Sequence, residues 1–329
     1  MTPCASGLKI LIGNGAFLRF CVVFSIYSSL AGCGLDTSGI GHTPTEWLLS
    51  VAKDSNSAGG TSKLKVINQS NVSVHQVKLG DFDGDRKADV FTTWGGKWRV
   101  SSGGTSSWQI INTSSVGIFD ILLGDFDGDD KTDVFTTWGG KWRVALGGTS
   151  GWQIINTSSF GVSDILLGDF DGDNKADVFT KWKGQWHVSV AKDSKSLGAT
   201  SEWKVINEPT TVGISEILLG DFDGDKKTDV FKTQLVAWLL SVAKDSNSLG
   251  GTSEWKVINQ SNVSVQNILL GDFKGNNRVD VFTTWGGKWR ISAGGTSKWE
   301  VINESDAGVS DILLADFDGD RKVDVFTTR

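Results

Sequence analysis

The stretch Asp81-Phe-Asp-Gly-Asp-Arg-Lys-Ala-Asp89-Val-Phe91 decides how the rest of the chain is read. Five further versions begin at Asp125, Asp169, Asp221, Asp272 and Asp316, at spacings of 44, 44, 52, 51 and 44 residues. Numbered from its first residue, the stretch places aspartate at positions 1, 3, 5 and 9. That pattern suits neither a hydrophobic core nor a plain strand. Alternating acids in a tight turn can all face inward, glycine at position 4 permits the bend, and position 9 returns from the next strand. Hard oxygens converging in this way suit calcium, which takes about six to eight of them from carboxylates, main-chain carbonyls and water. The carbonyl of position 7, Lys87 in the first copy, would join them.

The loop is not an EF-hand, because position 12 is Thr92 and β-prone residues follow where a helix should start. A solvated acidic turn is the plain alternative, but near-identical loops of close, unneutralised carboxylates repel themselves. The candidate metal ligands are Asp81, Asp83, Asp85 and Asp89, then Asp125, Asp127, Asp129 and Asp133, then Asp169, Asp171, Asp173 and Asp177. The set continues with Asp221, Asp223, Asp225 and Asp229, and with Asp316, Asp318, Asp320 and Asp324. The fifth copy reads Asp272-Phe-Lys274-Gly-Asn276-Asn-Arg-Val-Asp280. Lysine and asparagine replace two ligands there, and the ammonium is expected to take the cation's place. The expectation is five calcium sites and one metal-free loop.

Each acidic stretch lies between a short apolar run, Ile121-Leu-Leu123 in the second copy, and a β-prone run, Val134-Phe-Thr-Thr137. The second repeat reads as four strands over 121–124, 133–138, 141–145 and 152–156, with Gly139-Gly140 as a two-residue hairpin turn needing positive φ. Four strands in about 44 residues make one propeller blade. Between paired tryptophans the repeats differ: Trp98 to Trp108 is short, whereas Trp186 to Trp203 and Trp238 to Trp255 each carry seven more residues. Length change confined to one place marks a surface loop. The first repeated material, from Glu46, corresponds to strands three and four, and the last, up to Thr327, to strands one and two. The halves make one whole, so the expected fold is all-β. It is a β-propeller of six four-stranded blades over 46–329, closed by a composite blade. A truncated open array is the alternative.

The repeat resembles the FG-GAP or VCBS repeat, the blade unit of integrin-α-like propellers and of many bacterial surface proteins. The resemblance covers nearly all of 46–329 and implies a calcium-binding propeller. Two departures stand out. The family commonly has glycine at position 6, where this chain has Arg86, Asp130, Asn174, Lys226, Asn277 and Arg321. A non-glycine residue with positive φ costs on the order of 1 kcal/mol, least for Asn and Asp, which implies weaker affinity at the Arg and Lys loops. The best-known members also have seven blades, where six are counted here.

Residues 1–32 read as a secretory signal, with Lys9 and Arg19 ahead of an apolar run and small residues after it. Leu30-Ala-Gly-Cys33 resembles the bacterial lipobox, whose cysteine becomes the lipid-modified first residue. Residues 33–45 have the composition of a tether. An uncleaved anchor is the alternative, and Arg19 interrupts it. With Cys4 and Cys21 in the leader and Cys33 lipidated, the mature domain keeps no thiol. A lipid-anchored protein at the outer membrane or cell surface is the expectation.

Hydrophobic content of 39% supplies a core, and a net charge of −6 gathered in the acidic loops argues against nucleic acid. The three histidines, His42, His75 and His187, form no nucleophile–base pattern. No enzyme is expected; a hydrolase of surface polymers is a distant alternative. Trp94, Trp138, Trp182 and Trp285 precede the hairpin turns, and Trp98, Trp142, Trp186, Trp238 and Trp289 follow them. Rings recurring once per blade most often pack between sheets, but those beside glycine could also be stacking platforms for sugars. The expected partner is a protein or glycan ligand at the cell surface, with a lectin as the alternative to a protein-binding or adhesion module.

Overall fold

In the computed structural model, residues 9–11, 22–24, 45–207 and 211–329 are described. The signal, Cys33 and tether fall outside them, save for the three-residue strands Lys9–Leu11 and Val22–Phe24, which pair antiparallel. From Thr45 onward the chain forms six four-stranded antiparallel sheets. In blade 2 the strands are Ile121–Gly124, Asp133–Trp138, Lys141–Ala145 and Gln153–Thr157. The fourth starts one residue later than expected. First strands of neighbouring blades approach one another around the axis, so each blade runs outward from there.

Blade 6 is the composite. Ile312–Ala315 and Asp324–Thr328 continue into Thr45–Ser50 and Lys65–Ser70, with Val325 opposite Ser50 and Thr328 opposite Trp47. Glu46 and Arg329 exchange two main-chain hydrogen bonds at 2.8 and 3.0 Å. The ring is closed, and the open array is excluded.

Two aromatic positions of the acidic stretch build the core. The phenylalanines at positions 2 and 11 stack in all six blades, as Phe126 on Phe135 does at 5.3 Å. The third-strand tryptophans Trp47, Trp98, Trp142, Trp186, Trp238 and Trp289 are fully buried. Five of them meet a tryptophan of the next blade edge-on, at 5.2 to 5.4 Å. Such pairs add about 0.5–1.5 kcal/mol beyond burial. Packing between sheets is therefore the role of this set.

Polar contacts repeat the same ring. A fourth-strand asparagine of each blade (Asn68, Asn112, Asn156, Asn207, Asn259 and Asn303) donates its side-chain amide to the 3–4 loop of the following blade.

Candidate functional site

Each acidic loop is a lattice of hydrogen bonds to its own carboxylates. In blade 2, Asp125 Oδ1 accepts from Gly128 N–H at 2.7 Å and Oδ2 from Asp130 N–H at 2.9 Å. Asp127 and Asp129 each accept from the amide two residues on. Asp133 returns from the second strand and accepts from Phe126 N–H at 2.7 Å. Position 6 lies at positive φ in every copy, between 64° and 71°, as the departure from glycine implied.

One feature joins the loops. The amide of position 8 donates to the position-1 carbonyl of the preceding blade: Thr132 to Asp81, Ala176 to Asp125, Thr228 to Asp169, Val279 to Asp221, Val323 to Asp272 and Ala88 to Asp316. These six bonds span 2.5 to 2.9 Å and run once around the axis. No local pattern announces them, because donor and acceptor lie in different repeats.

Three carboxylates bring oxygens within 4.8 Å of one another in each of five loops: Asp81, Asp83 and Asp85; Asp125, Asp127 and Asp133; Asp169, Asp171 and Asp177; Asp221, Asp223 and Asp225; Asp316, Asp318 and Asp320. Asp89, Asp129, Asp173, Asp229 and Asp324 stand just outside these triads. Among the described residues no such triad forms in 272–280. Lys274 does not enter that loop: its Nζ lies 2.8 Å from Glu300 Oε2 on the fourth strand. The long lysine side chain reaches a partly exposed carboxylate more cheaply than it desolvates inside the turn.

Burial and mutual repulsion push these acids up. Burial raises Asp125 to about 7 and Asp133 to about 8, with the neighbouring aspartates adding to it and main-chain donors opposing it. Asp229 and Asp324 reach about 9 for the same reasons. Asp280 also rises through burial, opposed first by the main-chain donors Gly294 and Phe273 and then by the charge of Lys274. The all-oxygen donor set fits a hard cation. So do the fully buried Oδ1 atoms of Asp177, Asp229 and Asp324, which have no hydrogen-bond partner among the described residues.

The hairpin tryptophans separate from the core set. Trp94, Trp138, Trp182 and Trp285 are 41 to 45% exposed. One face of each is nevertheless covered: Arg99, Arg143 and Arg290 lie 3.7 to 3.8 Å over Trp94, Trp138 and Trp285, and Lys183 lies 4.5 Å over Trp182. The two-residue hairpin makes Trp94 and Arg99 diagonal neighbours on one face, a signal the sequence carried. A groove of about 840 Å³ between blades 6 and 1 is lined by Gln69, Asn71, Gln76, Thr92, Trp94 and Trp108, among others.

Blades, closure and acidic loops together define a six-bladed β-propeller with carboxylate-rich inter-strand turns. No family model matches the sequence, and no curated protein does. Among solved structures it is similar to an Agrocybe aegerita lectin that recognises non-reducing terminal N-acetylglucosamine, with a TM-score of 0.55, 12% identity, and coverage of 99% of this chain and 96% of that one. It is also similar to part of the Photorhabdus luminescens Tc holotoxin pore, with a TM-score of 0.52, 12% identity and coverage of 91% of this chain. The match spans 14% of that longer chain. At such identity the likeness is one of fold.

Proposed function

We propose that this protein is a non-catalytic binding module of the cell surface whose ring is stabilised by calcium at five acidic loops. The observation that carries the metal is the fifth loop. It keeps the shape of the others with Lys274 and Asn276 in place of two aspartates, and an asparagine caps as well as an acid: Arg278 N–H donates to Asn276 Oδ1 at 3.1 Å. Shape does not require the charges at positions 3 and 5. Those charges add repulsion unless a cation gathers them. The aspartates at positions 1, 3, 5 and 9 would hold calcium, which supplies the neutralising charge and ties the turn to the next strand. In this reading the leader exports the chain and lipid on Cys33 retains it. Metabolic labelling with palmitate that leaves Cys33 unmodified would remove that part.

A second reading, a lectin, is favoured by the groove beside Trp94. Its indoles, amides and hydroxyls offer apolar faces and neutral hydrogen-bonding groups, the combination a sugar needs. The fold shared with the Agrocybe aegerita lectin accords with this reading. A glycan array probed with residues 41–329 separates the two. Binding that falls on Trp94→Ala establishes the lectin, and silence across a broad array leaves a protein ligand.

A further inference from the structure

The loop joining strands three and four exists in two lengths, and the difference reaches the acidic loops. In blades 1, 2 and 5 it closes as a three-residue turn whose middle glycine, Gly103, Gly147 or Gly294, has φ of 56° to 58°. That conformation turns the glycine N–H onto Oδ1 of the position-9 aspartate, 2.9 Å from Asp89, 2.7 Å from Asp133 and 2.8 Å from Asp280. In blades 3, 4 and 6 the longer loop replaces this turn. The Oδ1 atoms of Asp177, Asp229 and Asp324 are then left buried with no hydrogen-bond partner among the described residues. Their Oδ2 atoms are held as elsewhere, by the amides of Phe170, Phe222 and Phe317. The division is complete: all three long-loop blades have the unpartnered oxygen, and all three short-loop blades have the glycine donor.

The long loop also takes the position-7 lysine. Lys175 Nζ donates to the carbonyls of Ser194 and Ser196, Lys227 to Ser246 and Ser248, and Lys322 to Ser55 and Ser57, at 2.5 to 3.2 Å. The ammonium is clamped at the loop, and Lys322 also lies 3.8 Å from an acid of its own turn, Asp320. The approach of position 9 to its neighbouring acids does not follow loop length: Asp177 and the short-loop Asp133 both come within 4.8 Å of two other carboxylates, whereas the long-loop Asp229 and Asp324 stand outside their triads.

We infer that the 3–4 loop length sorts the cation sites into two kinds, with blades 3, 4 and 6 binding calcium more tightly than blades 1 and 2. The inference rests on the calcium reading above. An oxygen already accepting an N–H has part of its charge neutralised, whereas a buried, unpartnered carboxylate oxygen gains most from a cation. The ordering differs from that expected from position 6, which would favour Asp130 in blade 2 and Asn174 in blade 3.

Isothermal titration of the metal-stripped full chain with calcium should show three tight equivalents followed by two at least about tenfold weaker. Asp177→Asn should remove one tight equivalent, and Asp133→Asn one weak equivalent, with folding in calcium checked by far-ultraviolet circular dichroism. Five equivalents in one phase overturn the sorting while leaving calcium in place; no binding at all overturns both. The wild-type isotherm decides even if a variant fails to fold.

Discussion

Blades 4 and 5 are neighbours with one backbone and two chemistries. In both, position 6 sits in the left-handed region, Lys226 at 71° and Asn277 at 65°. In both, position 9 accepts from the amide of position 2, at 2.9 Å for Asp229 and 3.0 Å for Asp280. Position 1 accepts from the glycine amide in each, Asp221 from Gly224 and Asp272 from Gly275. Yet the acids of blade 4 gather into a triad while blade 5 offers lysine and asparagine. The turn is thus held alike by positions 1, 4 and 9 and by a side-chain oxygen at position 5, acid or amide, while the charges at positions 3 and 5 are free to carry another duty.

The largest effect should come from removing the metal. Excess EDTA is expected to lower the thermal midpoint of the full chain by at least about 10 °C, since several bound ions each stabilise only the folded state. An unchanged midpoint would abolish the distinction between the two blades. Next comes exchange of chemistry on a fixed backbone. Lys274→Asp with Asn276→Asp should raise the calcium stoichiometry by one, and Asp223→Lys with Asp225→Asn should lower it by one, read by titration. If the double substitution in blade 5 leaves the count unaltered, the missing acids are not what silences that loop.

A smaller, graded effect concerns pH. In the metal-free chain these carboxylates titrate above their ordinary 3.8, Asp221 at about 6 and Asp229 at about 9. A raised pKa means the folded state holds the proton more tightly. Its stabilisation is full below about pH 4 and is lost as pH climbs through those values. The midpoint in EDTA should therefore fall from pH 5 to pH 9 and stay nearly level in saturating calcium, where the ion replaces the protons. The opposite slope in EDTA would contradict the burial described for blade 4.

The smallest effect lies at the other end of the same two blades. Where blade 5 turns through Gly286 and Gly287, blade 4 has Leu235 and Val236, with Leu235 at φ 55° and 93% exposed. Leu235→Gly should stabilise by about 1 kcal/mol and Gly286→Leu should cost a similar amount, measured by chemical denaturation.

The acidic stretch made the architecture legible because period, turn and strand residues all agree within it. Strand order, blade count and the left-handed position 6 could be read from residues close together in the chain, and composite closure from the half-repeats at its two ends. What lay beyond reading depends on the next blade. The amide of Val279 meets the carbonyl of Asp221, and Trp238 meets Trp299, only once sheets are laid side by side. Lys274 departs from the place its loop suggests for a related reason: its partner, Glu300, is 26 residues away on the fourth strand. The fate of the hairpin tryptophans was only half legible. Glycine does leave Trp94 partly open, but the arginine over its other face shows only when the hairpin register is followed across to the diagonal residue, Arg99.

The circle of main-chain bonds between acidic turns passes through blade 5 without a break, from Asp221 to Val279 and from Asp272 to Val323. Charge does not: the triads run through blades 6, 1, 2, 3 and 4 and stop. The molecule is therefore a mechanically endless belt with one electrically neutral link. A shift in any turn has a neighbour to pull in both directions, whereas repulsion, and whatever ion relieves it, acts along a line with two ends, at blades 4 and 6.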